Sequence, residues 1–259
     1  MTSRSPSDFE DPGAQPSDEL DHSRGRVSRL WRYPVKSMLG EECSHLETDA
    51  RGVAGDRLFA VRDANGKFGS GKTTRRFCKM DGLFGFRAAY EGDVPRITFP
   101  DGRRLLGSDP HVHGALSEAL GQPVTLSREA GISHLDAGPL HLLTTASLAW
   151  LTALIPDARI DDRRFRPNLL VDIPGTAGQV ERRWCDKILR VGKDVRLRVL
   201  GLCERCVMVN LPQSDLPGDA RILRSLGDGA GPHFGVYAEV VMPGTITCGD
   251  DVVVVHGGG

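Results

Sequence analysis

The chain of 259 residues carries a formal net charge of −1, with 33 Lys and Arg against 34 Asp and Glu. This length fits one large or two ordinary domains, and the near-neutral charge predicts neither nucleic-acid binding nor attachment to a membrane surface. The longest apolar runs, such as Val252–Val255, are too short to span a bilayer. Six cysteines with only one closely spaced pair are typical of reduced thiols, so we expect a cytoplasmic protein.

The N-terminal segment differs in composition from the rest of the chain. Residues 1–24 are rich in Ser, Pro, Gly and Asp, with Phe9 as the only aromatic residue. They lack the apolar core of a secretory signal, and their acidic residues argue against a mitochondrial transit peptide. We therefore predict a disordered tail over residues 1–24.

Strand and turn signals dominate from Val27 onwards. Leu58–Arg62 favours a strand, and Asp63–Gly66 supplies the Asn-Gly turn of a hairpin. A second hairpin turn is predicted at Asp101-Gly102. By the same criteria, further strands are predicted at residues 96–99, 104–106, 195–200, 234–241, 245–247 and 252–255.

Helices are few in the predicted organisation. They are expected at His111–Leu120, Ser147–Ile155 and Asp219–Leu226. Because strands and helices do not alternate, the sheets should be antiparallel or mixed and barrel-like. We predict a mainly β (α+β) protein with a smaller N-terminal β-barrel domain over residues 25–115 and a second domain over residues 116–257.

The cysteine pair in Cys203-Glu-Arg-Cys206 is the strongest indication of chemistry. Residues 207–212 after it are rich in β-branched side chains, so we predict that no helix begins there, unlike in thioredoxin-type motifs. The other four cysteines stand singly, with no His at the spacing of a zinc ribbon. We expect a rigid turn that presents one or two thiolates to a metal-containing cofactor. The remaining ligands of the metal would then belong to the cofactor itself.

Gly66–Thr73 matches the phosphate-binding P-loop pattern G-x-x-x-x-G-K-[ST]. A P-loop lies between a buried strand and a long helix, whereas Gly66 belongs to a predicted hairpin and Gly82 interrupts the segment that follows. We interpret the segment as a basic hairpin at the rim of the first domain, able to lend Lys72 or Arg75 to an anion.

Four segments carry donors suited to an anionic cofactor, although each has a structural alternative such as a solvated charge or a helix cap. One of them lies at the start of the second predicted helix, where free N–H groups favour phosphate. The residues that these segments supply are Lys36, Ser37, Arg57, Thr144, Thr145, Ser147, Arg166 and Asn168.

Taken together and in this order, the segments resemble the two-domain MOSC proteins, which include the mitochondrial amidoxime-reducing component and its bacterial relatives. Tyr33–Ser37 and Gly55–Arg57 are similar to the family's N-terminal barrel. The segments similar to the MOSC domain proper are 164–168, 203–206, 234–237, 243–246 and 249–250.

The resemblance implies a MOSC-type β-barrel and the molybdenum cofactor, a pterin whose dithiolene holds molybdenum (Mo-molybdopterin) beside one protein cysteine. The family's ligand is the cysteine directly after the arginine of the turn, so Cys206 is implied as the catalytic and metal-binding residue, with Cys203 as a neighbour. The residues implied to bind the cofactor are Lys36, Ser37, Arg57, Thr144, Thr145, Ser147, Arg166, Asn168 and Arg205.

The implied activity is the reduction of small N-hydroxylated substrates. Because the chain ends just after the second predicted domain, we expect electrons from a separate protein carrying flavin, haem or an iron–sulfur cluster. The substrate pocket is expected between loops 66–82 and 210–217.

Two alternative functions stay open. One is sulfur transfer through a cysteine persulfide, in a group of proteins associated with pyridoxal phosphate. The other is a non-catalytic module that binds a pterin or another anion.

Overall fold

The structure is a computed structural model that describes residues 24–176, 178–227 and 231–255. The predicted disordered tail lies outside these ranges, apart from Arg24, which begins the first strand. Within the described residues there are eighteen strands and three α-helices. The prediction of a mainly β protein with few, short helices is confirmed.

The strands in chain order are β1 (Arg24–Arg32), β2 (Glu41–Cys43), β3 (His45–Asp49), β4 (Gly52–Val53), β5 (Phe59–Asp63), β6 (Phe68–Ser70), β7 (Phe77–Lys79), β8 (Arg87–Glu91), β9 (Val94–Thr98), β10 (Arg104–Leu106), β11 (Val124–Arg128), β12 (Leu140–Thr144), β13 (Leu169–Asp172), β14 (Ile188–Val191), β15 (Val195–Glu204), β16 (His233–Met242), β17 (Thr245–Thr247) and β18 (Asp251–Val255). The helices are α1 (Val112–Leu120), α2 (Thr145–Leu154) and α3 (Arg221–Leu226), and short 3₁₀ helices occupy Leu83–Gly85, Asp162–Arg164, Val180–Trp184 and Val207–Asn210.

The large β-barrel consists of seven strands in the order β13-β12-β16-β15-β14-β18-β1, closed by pairing of β1 with β13. The β12–β13 pair is parallel and the others are antiparallel. Alternate residues point inward, as in β15, where Val195, Leu197 and Val199 are all fully buried. The barrel interior is therefore a packed apolar core.

A second apolar core lies between a four-stranded sheet (β11-β5-β6-β7) and a three-stranded sheet (β10-β9-β8). The chain after β1 joins these two sheets, because Val35 bridges to Phe59 and Leu39 bridges to Arg87. Helix α1 packs Leu116 into the same core. This unit is the smaller N-terminal one expected from the sequence.

The strands do not follow the predicted division at residues 115 and 116. Strand β1, from the predicted first domain, completes the large barrel, and β3 pairs with β17. Conversely, β11 from the predicted second domain pairs with β5. The two units are therefore interlocked through exchanged strands, and the sequence boundary itself stays a prediction.

The expectation that no helix begins after Cys206 was wrong for one turn. Val207–Asn210 form a 3₁₀ helix, and Cys206 precedes it in extended conformation. The turn places Val209, which is 1% exposed, in a third core cluster with Ile222 and Phe234. Burial of this valine decides the local conformation against the β propensity of the segment.

None of the helices in the described ranges is long and apolar enough to cross a membrane.

Removal of the Leu30 side chain tests the place of β1 in the barrel. Leu30 is completely buried in the barrel core, so Leu30→Ala should lower the free energy of unfolding by about 2–5 kcal/mol. Urea denaturation followed by circular dichroism measures this change. Leu154→Ala is the control, because Leu154 is 50% exposed and its truncation should cost less than about 0.5 kcal/mol. Equal midpoints for the two variants would contradict the assignment of β1 to the core.

Candidate functional site

A cavity of about 700 Å³ is lined by residues from both units. Its lining brings together seven of the ten site residues predicted from the sequence. These are Lys36, Ser37, Arg57, Arg166, Asn168, Arg205 and Cys206. Six cationic side chains line the cavity against two carboxylates, those of Asp136 and Glu204, so its electrostatic character favours an anion.

Two backbone segments that run side by side position Lys36 and Arg57. Arg57 N donates to Tyr33 O at 2.6 Å, and Lys36 N donates to Phe59 O at 2.8 Å. The fully buried Asp56 strengthens this connection, since its Oδ1 accepts from Tyr33 N at 2.8 Å. The two cations are therefore fixed by main-chain pairing rather than by flexible loops.

Three cavity residues have a left-handed backbone conformation that is unusual for side chains other than glycine. Ser37, Arg57 and Arg166 have φ values of 64°, 51° and 55°. In the described part of the chain only two other non-glycine residues, Asp186 and Ser214, have a positive φ. Such strain costs about 1–3 kcal/mol at each position and often marks a functional site.

Two guanidinium groups lie against the ring of Tyr33. The Cζ atoms of Arg166 and Arg57 lie 4.1 and 4.9 Å from its ring centroid. The hydroxyl of Tyr33 donates to Pro167 O at 3.2 Å, which connects the segment after β1 to the turn before β13. The aromatic face stabilises two like charges close together through cation–π interactions.

Asp136 is a cavity residue that the sequence analysis missed. Its Oδ1 accepts a hydrogen bond from Lys36 Nζ at 2.5 Å, and its Oδ2 lies 3.9 Å from Arg57 Nε. Partial burial raises the pKa of Asp136, but the charges of Lys36 and Arg57 outweigh this effect and hold the pKa well below its usual range. No motif surrounds Asp136 in the sequence, so only its position in space identifies it.

Burial changes the proton affinity of the cationic residues. Desolvation lowers the pKa of Lys36, although Asp136 opposes this effect. Desolvation and the neighbouring Arg57 together lower the pKa of Arg166 to about 10. Arg57 is also desolvated, but the adjacent Asp56 carboxylate raises its pKa above the usual value. Arg57 and Arg166 therefore stay cationic at neutral pH, and an anion in the cavity would stabilise both charges.

Asn168 lines the cavity, and its side-chain amide forms hydrogen bonds with two strands of the barrel. Its Nδ2 donates to Trp31 O at 3.2 Å, and its Oδ1 accepts from His141 N at 3.1 Å. The side chain is completely buried and connects β1 to β12. Its main effect in this structure is to position its neighbours.

The two cysteines of the pair have different surroundings. Cys203 is fully buried, and Arg205 Nη1 lies 2.8 Å from its sulfur. Burial raises the pKa of Cys203, but the charge of Arg205 and the ring of His141 outweigh it and lower the pKa to about 6. Cys206 is partly exposed at the cavity and is not disulfide-bonded. Cys206 is therefore the thiol that a ligand in the cavity can reach.

Several buried polar atoms on the cavity wall have no hydrogen-bond partner within the described part of the protein. They are Arg166 Nη2, Arg205 Nε, His141 Nε2 and His233 Nδ1. An unsatisfied buried donor or acceptor costs about 1–3 kcal/mol. Four such atoms belong to residues of one cavity, so binding of a polar ligand there would reduce this cost.

Thr144, Thr145 and Ser147 are not among the residues that line the cavity. The hydroxyls of Thr144 and Ser147 both donate to the buried carboxylate of Glu181, at 2.7 and 2.6 Å, and Thr145 Oγ1 donates to Asp172 Oδ1 at 2.8 Å. Thr144 also caps α2 by accepting from Ser147 N. In this structure the three hydroxyls at the start of α2 form hydrogen bonds with the chain's own carboxylates, and the phosphate site expected there stays a prediction.

The P-loop look-alike adopts the predicted hairpin. Gly66 lies in the turn after β5, and residues 68–70 form β6, which pairs in parallel with β7 rather than preceding a helix. Lys72 and Arg76 line the cavity and Arg75 does not, and the contact of this hairpin with an anion stays a prediction.

Of the two loops expected to form the substrate pocket, loop 66–82 lines this cavity and loop 210–217 does not. Ser70, Lys72, Arg76 and Phe77 belong to the lining. On the other side Met208 and Val209 line the cavity, because the 3₁₀ helix brings the residues directly after Cys206 against it.

Replacement of the Asp136 carboxylate tests the anion preference of the cavity. Asp136→Asn removes the negative charge that faces Lys36 and Arg57, so binding of inorganic pyrophosphate to cofactor-free protein should become about tenfold tighter. Isothermal titration calorimetry measures the dissociation constant. Asp215→Asn is the matched control, since Asp215 pairs with Arg159 and Arg163 outside the cavity lining. Unchanged or weaker binding in the Asp136 variant would show that this carboxylate does not compete with anions.

Known families and proteins match the chain over most of its length. Residues 24–113 match the MOSC N-terminal beta barrel domain, and residues 109–253 match the MOSC domain. Mitochondrial amidoxime-reducing component 1 of Mus musculus is 25% identical, over 88% of this chain and 82% of that protein. The Homo sapiens protein of the same name is 26% identical with the same coverage.

Among solved structures, the YUAD protein of Bacillus subtilis aligns with 89% of this chain and 95% of its own, at a TM-score of 0.47 and 12% identity. This similarity is too low to support a conclusion about function. The MOSC domain match alone covers more than half of the sequence, and it coincides with the strands that build most of the closed barrel. The chain therefore belongs to the MOSC domain family, with a MOSC N-terminal barrel preceding the MOSC domain.

Proposed function

We propose that this protein is a molybdenum-cofactor-dependent reductase of N-hydroxylated compounds. The observation that carries the proposal is a single cavity in which the accessible Cys206 thiol lies among cationic side chains and unsatisfied buried donors. The curated relatives named as amidoxime-reducing components support the choice of substrate class.

The chemistry of the donor set fits an anionic cofactor that supplies most of its own metal ligands. In the described ranges, no group of three or more His, Cys, Asp or Glu side chains is arranged to hold a metal ion. A single thiolate suits a soft metal that is already held by sulfur ligands. The guanidinium and ammonium groups suit phosphate and the polar edge of a heterocycle.

Each residue of the cavity then has a defined task. Cys206 would provide the protein's thiolate ligand, and Lys36, Arg57 and Arg166 would hold the anionic phosphate. Arg205, with its unpartnered Nε, would donate to the cofactor while keeping Cys203 in place. When bound, the molybdenum cofactor supplies two-electron oxygen-atom transfer chemistry.

Reduction of an N–OH group to N–H consumes two electrons and two protons and releases water. The described residues contain no cluster of metal ligands that would store these electrons, so we propose a separate electron-donor protein. All six cysteines are free thiols, which suits a reducing compartment such as the cytoplasm.

Molybdenum content tests the ligand assignment. Protein produced in a host that makes the cofactor should contain about one molybdenum per chain, measured by inductively coupled plasma mass spectrometry. Cys206→Ala should lose most of the metal and remain folded, because a partly exposed thiol contributes little to the core. Cys203→Ala is the matched control and should retain most of it. Full occupancy in the Cys206 variant would exclude that residue as the ligand.

The reaction is tested with metal-loaded protein and reduced methyl viologen against amidoximes, hydroxylamines, and simple N- and S-oxides. We expect reduction of the N-hydroxylated compounds, abolished by Cys206→Ala. Arg166→Ala should reduce cofactor occupancy about tenfold or more, since a charge-assisted hydrogen bond contributes about 1.5–3 kcal/mol. A fully loaded sample that reduces none of these substrates would contradict the proposal.

Sulfur transfer is the second candidate, because the accessible Cys206 thiol is also suited to carrying a persulfide. Metal analysis separates the two functions. A persulfide trapped by alkylation on protein without molybdenum would favour sulfur transfer, and bound pterin without turnover would favour a non-catalytic carrier.

A further inference from the structure

The glycine-rich hairpin that resembles a P-loop has no task in the proposed cofactor site. Its segment, residues 64–80, contains five cationic residues and no Asp or Glu. The five are Lys67, Lys72, Arg75, Arg76 and Lys79. A charge excess of this kind next to a cavity is suited to attracting an anionic ligand.

Gly71 holds this hairpin against the segment that follows Cys206. Its backbone N–H donates to Met208 Sδ at 3.1 Å. A Cβ atom at Gly71 would lie 2.4 Å from Leu211 Cδ1 and 2.6 Å from Met208 Sδ, so only glycine allows this close approach without displacing them. Lys72 therefore directly follows a residue that contacts Met208, which is two positions after the accessible thiol of Cys206.

Lys72 differs from every other cation on the cavity wall. Lys36 pairs with Asp136, Arg57 pairs with Asp56, and Arg76 Nη2 donates to Ser133 O at 2.6 Å. Arg166 and Arg205 also donate to main-chain oxygens. Within the described ranges, the Lys72 ammonium group makes no hydrogen bond or ion pair, and its one recorded interaction is with the ring of Phe77.

An aromatic ring lies close to the Lys72 ammonium group, and apolar surface lines the same cavity. Its Nζ lies 5.5 Å from the ring centroid of Phe77, and Lys36 Nζ lies at the same distance from the same ring. Leu200 lines the cavity and is 44% exposed. The cavity thus offers apolar surface at Phe77 and Leu200 together with one ammonium group, that of Lys72, which has no hydrogen-bond or ion-pair partner in the described ranges.

We propose that Lys72 selects substrates bearing a carboxylate on an aromatic or apolar body that packs against Phe77 and Leu200. This inference rests on the proposed reductase function and names its substrate class. The ammonium group of Lys72 would form a charge-assisted hydrogen bond with the carboxylate, which orients the opposite end of the substrate towards Cys206.

The test compares a neutral and an anionic substrate with the same reducible group, benzamidoxime and 4-carboxybenzamidoxime, with reduced methyl viologen as donor. In Lys72→Ala the KM for the carboxylated substrate should rise about tenfold, with kcat, the KM for benzamidoxime and the molybdenum content unchanged. Lys72→Glu should reverse the preference. Arg75→Ala is the matched control, because it removes a charge from the same hairpin at a residue outside the cavity lining.

Other outcomes overturn the inference. Equal effects of Lys72→Ala on both substrates would mean that Lys72 does not recognise the carboxylate. Loss of molybdenum would assign Lys72 to the cofactor, and a defect seen only with a protein electron donor would assign it to docking. If the wild-type protein reduces neither compound, the proposed function fails, but calorimetry with 4-carboxybenzamide and benzamide still measures the selectivity. Equal affinity for these two amides would refute it.

Discussion

The pairing of β1 with β13 is the constraint on which the site depends. It closes the seven-stranded barrel, and it brings the chain that leaves β1 beside the turn that enters β13. Trp31 N donates to Asn168 O at 2.9 Å, and Asn168 returns a hydrogen bond to Trp31 O. Lys36 follows on one side of this junction and Arg166 precedes it on the other. Without barrel closure, the cationic cluster would have no common cavity.

The cluster places like charges together at an electrostatic cost that its surroundings offset. Desolvation and mutual repulsion disfavour burial of Lys36, Arg57 and Arg166, and the lowered pKa values of Lys36 and Arg166 reflect this cost. Asp56, Asp136 and the face of Tyr33 compensate only in part, because donors such as Arg166 Nη2 stay unsatisfied. The strained backbone at these positions adds to the cost. A protein retains such an arrangement where binding of an anionic ligand stabilises it.

Barrel packing separates the two cysteines by role. Strand β15 carries Cys203 into the interior, where Arg205 holds its sulfur. The following 3₁₀ helix buries Val209 and leaves Cys206 at the cavity surface. The same helix supplies Met208 as the contact for Gly71. One local change of conformation therefore exposes a thiol and fixes the basic hairpin next to it.

The sequence by itself determined the strand-rich fold class, the three helices and seven residues of the cavity, because period-two alternation, turn residues and short motifs act over a few neighbouring positions. It did not identify Asp136, whose role depends on Lys36 a hundred residues away. It also did not predict that Glu181 and Asp172 accept hydrogen bonds from the hydroxyls at the start of α2. The exchange of strands between the two units is likewise absent from the sequence pattern, and the boundary between the two domains stays a prediction. Only the tertiary structure decided these points, since strand exchange, burial of Val209 and pairing of distant charges depend on which segments meet in space.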